Sequence, residues 1–98
     1  MKITEKMNGT ELTVLLAGRL DTTTAPELEK ELNAKTDAVT ELTLDLNDLE
    51  YISSAGLRVL LSAHKAMSKK GGMKVVNVNE LVREVFDVTG FSDILTIE

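Results

Sequence analysis

Apolar residues recur along this chain with two different periods, and the changes between them mark its elements. From Glu11 to Leu20 nearly every position is apolar, with Leu12, Val14, Leu15, Leu16 and Ala17 in succession. That is the pattern of a strand covered on both faces. Residues 2–7 read as a preceding strand, joined to it through the turn signal Asn8-Gly9. Thr24-Ala25-Pro26-Glu27 opens a helix. A Thr three residues before a Glu forms a capping box, and Pro26 is tolerated where first-turn N–H groups have no acceptor. Ala25, Leu28 and Leu32 supply one buried stripe, and Thr36-Asp37 ends the helix. Strict alternation then predicts a strand over 41–46, followed by a polar connection over 47–52.

The next helix is expected over about 54–70, with Leu57, Leu60, Leu61 and His64 on one face. Lys65, Lys69 and Lys70 gather near its end, where cations suit the helix dipole, and Gly71-Gly72 stops it. Residues 73–78 read as a strand rich in β-branched side chains. Asn79 caps a third helix carrying Leu81, Val82, Val85 and Phe86, Gly90 terminates it, and 94–97 form a short last strand. The order ββαβαβαβ predicts an α/β fold, a mixed β-sheet with helices packed against it.

Composition narrows the function classes. Ninety-eight residues suit one domain, expected over 1–98. Aromatics are only 3%, so the core must be built from Leu, Val, Ile, Ala and Met. With no Cys there is no disulfide framework and no thiolate metal site, which fits a reducing compartment. A net charge of −5 repels nucleic acid, and no basic stripe with interleaved aromatics overrides it. The start, Met1-Lys2-Ile3-Thr4-Glu5-Lys6, lacks the apolar run of a signal peptide, and no stretch reaches membrane-spanning length. The expected location is cytoplasmic, with neither membrane nor nucleic acid as partner, and the free protein a monomer.

Catalytic chemistry finds little support. The single His64 lies ten positions from Ser54 on one expected helix, about 15 Å along its axis, too far to act as its base. Ile52-Ser53-Ser54-Ala55-Gly56 has Ile where a nucleophile elbow needs Gly. Asp21, Asp45 and Asp48 each stand at or after a strand end, but their spacing matches no metal loop, and loop capping is the favoured reading. No cofactor or metal is expected, and a small hydrolase or nucleotide-binding enzyme ranks far behind the alternatives.

The segment Tyr51 to Leu61 differs. Ser53 and Ser54 stand where a polar loop meets an amphipathic helix, and either can be its N-cap. Gly56 costs about 1 kcal/mol relative to Ala inside a helix, so it asks for a reason, such as the close approach of another backbone. A phosphate on Ser54 would meet free N–H groups at the helix start, with Arg58 four residues on.

With these motifs in place the chain resembles the bacterial anti-sigma factor antagonists, which are single STAS domains. The resemblance spans Ala17-Gly18-Arg19-Leu20-Asp21, Ala25-Pro26, Asp45-Leu46-Asn47-Asp48-Leu49, the serine segment, Gly71-Gly72 and Phe86-Asp87-Val88-Thr89-Gly90-Phe91. It implies a non-enzymatic partner switch. Unmodified, such proteins bind a serine-kinase anti-sigma factor and free its sigma factor. The kinase then phosphorylates the serine before the helix, and a PP2C-type phosphatase reverses it. The acceptor falls on Ser54, with Ser53 as runner-up because many members carry Asp there. The implied partner surface is Asp21, Thr22, Thr23, Ser53, Ser54, Ala55, Gly56, Leu57 and Arg58, with Arg58 standing where well-known members have Gly. The alternative within the family is a constitutive scaffold or transporter accessory without phosphorylation.

Overall fold

A glycine makes the first corner. In the computed structural model, which describes residues 1–98, β1 (Lys2–Asn8) runs antiparallel to β2 (Glu11–Leu20), with Asn8 opposite Glu11. Gly9 takes φ +64°, a left-handed value that glycine adopts at no steric cost. The corner is therefore Gly9-Thr10, one residue beyond the Asn8-Gly9 signal. The chain continues through α1 (Ala25–Lys35), β3 (Glu41–Ile52), α2 (Ser54–Met67), β4 (Met73–Val76), α3 (Glu80–Thr89) and β5 (Thr96–Ile97). The sheet order is β1-β2-β3-β4-β5, and β2 to β5 are parallel. The expected order ββαβαβαβ is the one found.

Each crossover steps one strand in the same direction, and crossovers are right-handed, so all three helices fall on one face of the sheet. Leu12, Val14 and Leu16 share that face with Leu42, Leu44, Met73 and Val75, and all seven are buried. The opposite face carries Thr13, Leu15, Ala17, Thr43 and Asp45, each partly exposed. The expectation that β2 is covered on both faces is thus corrected: Leu15 and Ala17 interrupt the polar alternation but lie on the uncovered side. Twenty-three apolar residues form one core cluster with no polar member, and Phe86 is its only aromatic. No helix is long and apolar enough to cross a membrane.

The strand β3 is twice as long as its alternation suggested. Its buried residues are Leu42, Leu44, Leu46, Leu49 and Ile52, spaced by two and then by three. Two register shifts against β2 account for the change, because each bulge inserts a residue and keeps the next apolar side chain facing the core. The polar connection expected over 47–52 is therefore strand.

Helix boundaries need similar corrections. Thr24 makes no side-chain cap on α1, so the Thr24–Glu27 box is absent. The box forms one turn earlier: the Thr24 N–H donates to Asp21 Oδ1 (3.2 Å), and the Asp21 N–H donates to Thr24 Oγ1 (2.8 Å). The helix α2 ends at Met67, leaving Lys69 and Lys70 in the following turn. Its buried side is Gly56, Leu57, Val59, Leu60, Ala63 and Met67, with Leu61 and His64 only half-buried at the margin. Asn77 at φ +57° stops β4 short of Val78, and β5 shrinks to two residues behind the 3-10 turn Phe91–Asp93. Asn79 does cap α3, its Oδ1 accepting the Val82 N–H at 2.9 Å, and Gly90 ends it at φ +83°. Within α3, Val82 and Phe86 are buried while Leu81 turns outward.

Gly56 joins α2 to the sheet. A Cβ at that position would stand 2.7 Å from Leu20 Cγ and 2.9 Å from Ile52 Cγ1. The close approach is thus by side chains at the ends of β2 and β3, not by another backbone. Gly56→Ala is expected to destabilise the fold by about 1–3 kcal/mol through overpacking, despite alanine's helix-propensity advantage of about 1 kcal/mol. Urea denaturation checks this; an unchanged or higher midpoint would show that Leu20 and Ile52 yield freely.

Glu41 starts β3 directly opposite Glu11 of β2. A hydrogen bond shared with Glu11, and then the repulsion between the two charges, hold the Glu41 carboxyl above its usual 4.5. A raised acid favours the fold below the unfolded value and loses that contribution as pH rises through the folded one, so at neutral pH the pair is a liability. Glu41→Gln is expected to raise the thermal midpoint slightly at pH 7, with the gain vanishing once both carboxyls are protonated at acidic pH. An equal gain at neutral and acidic pH would contradict this.

Candidate functional site

The serine segment lies at the C-terminal ends of the parallel strands β2 and β3, where chain leaving the sheet turns into helices. The Ser53 N–H donates to the Leu20 carbonyl at 2.9 Å, which ties the start of α2 to the loop after β2. In that loop Asp21 Oδ1 accepts from the Thr23 hydroxyl (2.7 Å), the Thr23 N–H (3.0 Å) and the Thr24 N–H (3.2 Å). The Thr23 hydroxyl bond and then the Thr24 amide hold the Asp21 carboxyl below its usual range. The Thr24 hydroxyl in turn donates to the Arg19 carbonyl at 2.8 Å. Thr22 and Thr23 are consequently presented to solvent on a braced turn.

The two serines have different jobs. Ser53 is the N-cap of α2, and its Oγ accepts the Gly56 N–H at 3.4 Å. Ser54 is the first helical residue, exposed, and its hydroxyl takes no part in the protein's side-chain hydrogen bonding. No acidic side chain occupies the first turn of α2, whereas α1 and α3 carry Glu27 and Glu80 there. The positive end of the α2 dipole therefore meets no carboxylate from its own first turn next to the Ser54 hydroxyl. Arg58, at i+4, is exposed.

The expected partner surface is brought together in part. Asp21, Thr22, Thr23, Ser53, Ser54, Ala55 and Arg58 are exposed or partly exposed at this end of the sheet. Gly56 and Leu57 are buried, Gly56 beneath Leu20 and Ile52 and Leu57 within the core, so they support the surface from below and do not form it. Two residues outside the expected set stand beside it. Arg19 and Tyr51 pair across β2 and β3, and the guanidinium carbon lies 4.2 Å from the ring centroid. Each precedes an inward-facing apolar residue at its strand end (Leu20 and Ile52), the alternation that places both on the uncovered side.

Asp45 and Asp48 serve the β3 bulge. Asp45 Oδ1 accepts the Asn47 N–H at 3.0 Å, and Asp48 Oδ1 accepts from Asn47 Nδ2 at 3.1 Å. His64 lies at the other end of the sheet, where it lines a hollow of about 550 Å³ with Glu11, Glu41 and Met73 at the starts of the parallel strands. Its Nδ1 is buried without a hydrogen-bond partner. The Ser54 end of the sheet thus offers an exposed hydroxyl, free amide ends and two arginines, while the chain's single histidine lies at the opposite end.

Comparison with known proteins agrees with this architecture. The STAS domain family matches residues 2–98. The chain is 39% identical over 100 residues to BtrV of Bordetella bronchiseptica, a candidate anti-sigma factor antagonist, covering 99% of this chain and 85% of that protein. It is 34% identical over 93 residues to the anti-sigma-B factor antagonist of Bacillus subtilis, covering 94% and 85%. The anti-sigma factor antagonist SpoIIAA from Bacillus has the same fold. Its unphosphorylated form superposes with a TM-score of 0.85 at 19% identity, covering 99% of this chain and 88% of that one. Its phosphorylated form gives 0.78 at 18% identity, covering 99% and 91%. A whole-chain family match, together with relatives above 30% identity over nearly its full length, makes this chain a member of the STAS-domain anti-sigma factor antagonists.

Proposed function

We propose that this chain is the antagonist in a phosphorylation-controlled partner switch, acting as one domain over residues 1–98. Unmodified, it binds a serine-kinase anti-sigma factor in the cytoplasm and releases the sigma factor held there. The kinase transfers a phosphoryl group to Ser54, the complex separates, and a PP2C-type phosphatase resets the protein. It works by binding, not by catalysis.

One observation carries the choice of acceptor: the Ser54 hydroxyl is exposed and free on the first residue of α2, whereas the Ser53 hydroxyl caps that helix. A kinase needs an acceptor it can reach without dismantling a cap. The helix start also suits the product. Phosphorylation adds about −1.5 to −2 charge, and N-terminal amides and the dipole stabilise an anion. The fold therefore tolerates the phosphate, and the penalty falls on the interface. A partner seated on Ser54 must desolvate the new charge, at a cost of several kcal/mol. At about 1.4 kcal/mol per tenfold, affinity falls by two orders of magnitude or more. That SpoIIAA is known in unphosphorylated and phosphorylated forms supports the same reading.

The test is intact-mass and peptide mapping after incubation with ATP and the anti-sigma kinase encoded nearest this chain. Wild type is expected to gain one phosphoryl group on the peptide holding Ser54. Ser54→Ala should gain none yet bind the kinase within a few-fold of wild type. Ser53→Ala should still be labelled, while losing about 1 kcal/mol of stability with its cap. Stoichiometric labelling of Ser54→Ala would overturn the assignment, and loss confined to Ser53→Ala would move the acceptor back one residue. A wild-type chain that binds but is never labelled would instead be a constitutive scaffold.

A further inference from the structure

Two of the chain's three arginines, Arg19 and Arg58, flank the Ser54 segment in a protein of net charge −5. Arg58 follows Ser54 on α2. Arg19 comes from β2 and is held differently from an ordinary surface arginine. Its guanidinium stacks on Tyr51, directly across the β2–β3 ladder, with 4.2 Å from the guanidinium carbon to the ring centroid. The Arg19 side chain is 61% exposed, and Tyr51 is 37% exposed.

The stack fixes the plane of the guanidinium while leaving its donor edge open, because the ring covers a face and the N–H groups project in the plane. Asp21 forms a loose ion pair with Arg19, its Oδ2 3.8 Å from Nε, beyond hydrogen-bond distance, so the guanidinium N–H groups are not hydrogen-bonded by it. Asp21 Oδ1 is meanwhile committed to Thr23 and Thr24. Tyr51 is three residues from Ser54, at most about 10 Å along extended chain. The carbonyl of Leu20, next to Arg19, accepts the Ser53 N–H. The stacked pair and the exposed hydroxyl therefore belong to one rigid corner.

We propose that the Arg19–Tyr51 stack is a docking anchor that receives a carboxylate side chain of the anti-sigma kinase. Arginine and tyrosine are the residue types on which interface energy concentrates, and a stacked arginine offers a preorganised bidentate site for a carboxylate. The inference rests on the partner-binding reading of Ser54 and deepens it. A phosphate on Ser54 adds about −1.5 to −2 charge three residues from Tyr51, so like-charge repulsion of the partner's carboxylate adds to the desolvation cost. In a chain of net charge −5, an arginine held by stacking at the serine end of the sheet is a local exception to the overall acidity, and it complements an acidic side chain.

The experiment is a calorimetric titration of the unphosphorylated variants with the kinase encoded nearest this chain, at low and high salt, paired with thermal unfolding. Arg19→Ala is expected to weaken binding about tenfold to thirtyfold, Arg19→Glu at least a hundredfold, and Tyr51→Ala about fivefold to tenfold. Unfolding midpoints should stay within about 2 °C of wild type. Added salt should weaken wild type more than Arg19→Ala, because the charge pair is the screened part. If Arg19→Ala and Arg19→Glu bind within twofold of wild type while Ser54→Asp still loses binding, the anchor is refuted and the switch stands. Affinity losses that merely track lower midpoints also refute it, since the stack would then only brace the strand ends. If wild type does not bind the kinase at all, the functional reading falls and the anchor with it.

Discussion

The contact on which the rest depends is the one between the start of α2 and the ends of β2 and β3. Gly56 sits against Leu20 and Ile52 where a methyl group has no room, and the Ser53 N–H is bonded to the Leu20 carbonyl. These two restraints clamp the first turn of the helix onto the sheet. With the helix fixed in position and direction, Ser53 must turn its hydroxyl inward to cap it, and Ser54 must stand outside. The exposure of Ser54 is a consequence of restraints one and two residues away, at Ser53 and Gly56. The same clamp brings the Asp21 turn alongside, braced by its own bonds to Thr23 and Thr24.

The electrostatics follow from that placement. The chain as a whole is acidic, yet the corner around Ser54 gathers Arg19, Arg58 and a helix N-terminus with no acidic residue in its first turn, against the carboxylate of Asp21 on the adjoining turn. An added phosphate is compatible with such a corner inside its own molecule, because free amides and cations lower its cost. Against a docked surface the same charge is expensive. A switch built this way needs no rearrangement of the sheet, only a change in what one exposed hydroxyl presents to a neighbour. The buried members of the motif, Gly56 and Leu57, act by holding the corner rigid.

Much of this was legible in the residues, and the failures have identifiable causes. The helix α3 was readable because its Asn79 and Gly90 caps are the ones the folded chain uses; β2 was readable in extent, although its apolar run implied two covered faces where only one is buried. The second half of β3 was not. Its bulges change the apolar spacing from two to three at Leu46, Leu49 and Ile52, which no longer reads as a strand. The cap of α1 was misplaced because two overlapping boxes, Asp21 with Thr24 and Thr24 with Glu27, compete for one threonine, and the strand end decides between them. Ser53 and Ser54 were indistinguishable as caps for the same reason. Arg19 and Tyr51 escaped notice because their pairing is a property of register. With two bulges in β3, residues 32 positions apart meet only once the ladder is known.

The central claim is that phosphate on Ser54 alters the interface and leaves the fold intact. Its most direct test is to prepare the protein fully phosphorylated on Ser54, then measure its affinity for the anti-sigma kinase and its thermal unfolding midpoint beside those of the unmodified protein. The account predicts an affinity loss of about a hundredfold or more, with a midpoint equal to or slightly above that of the unmodified protein. Equal affinities, or a loss of binding accompanied by a midpoint lower by several degrees, would contradict it.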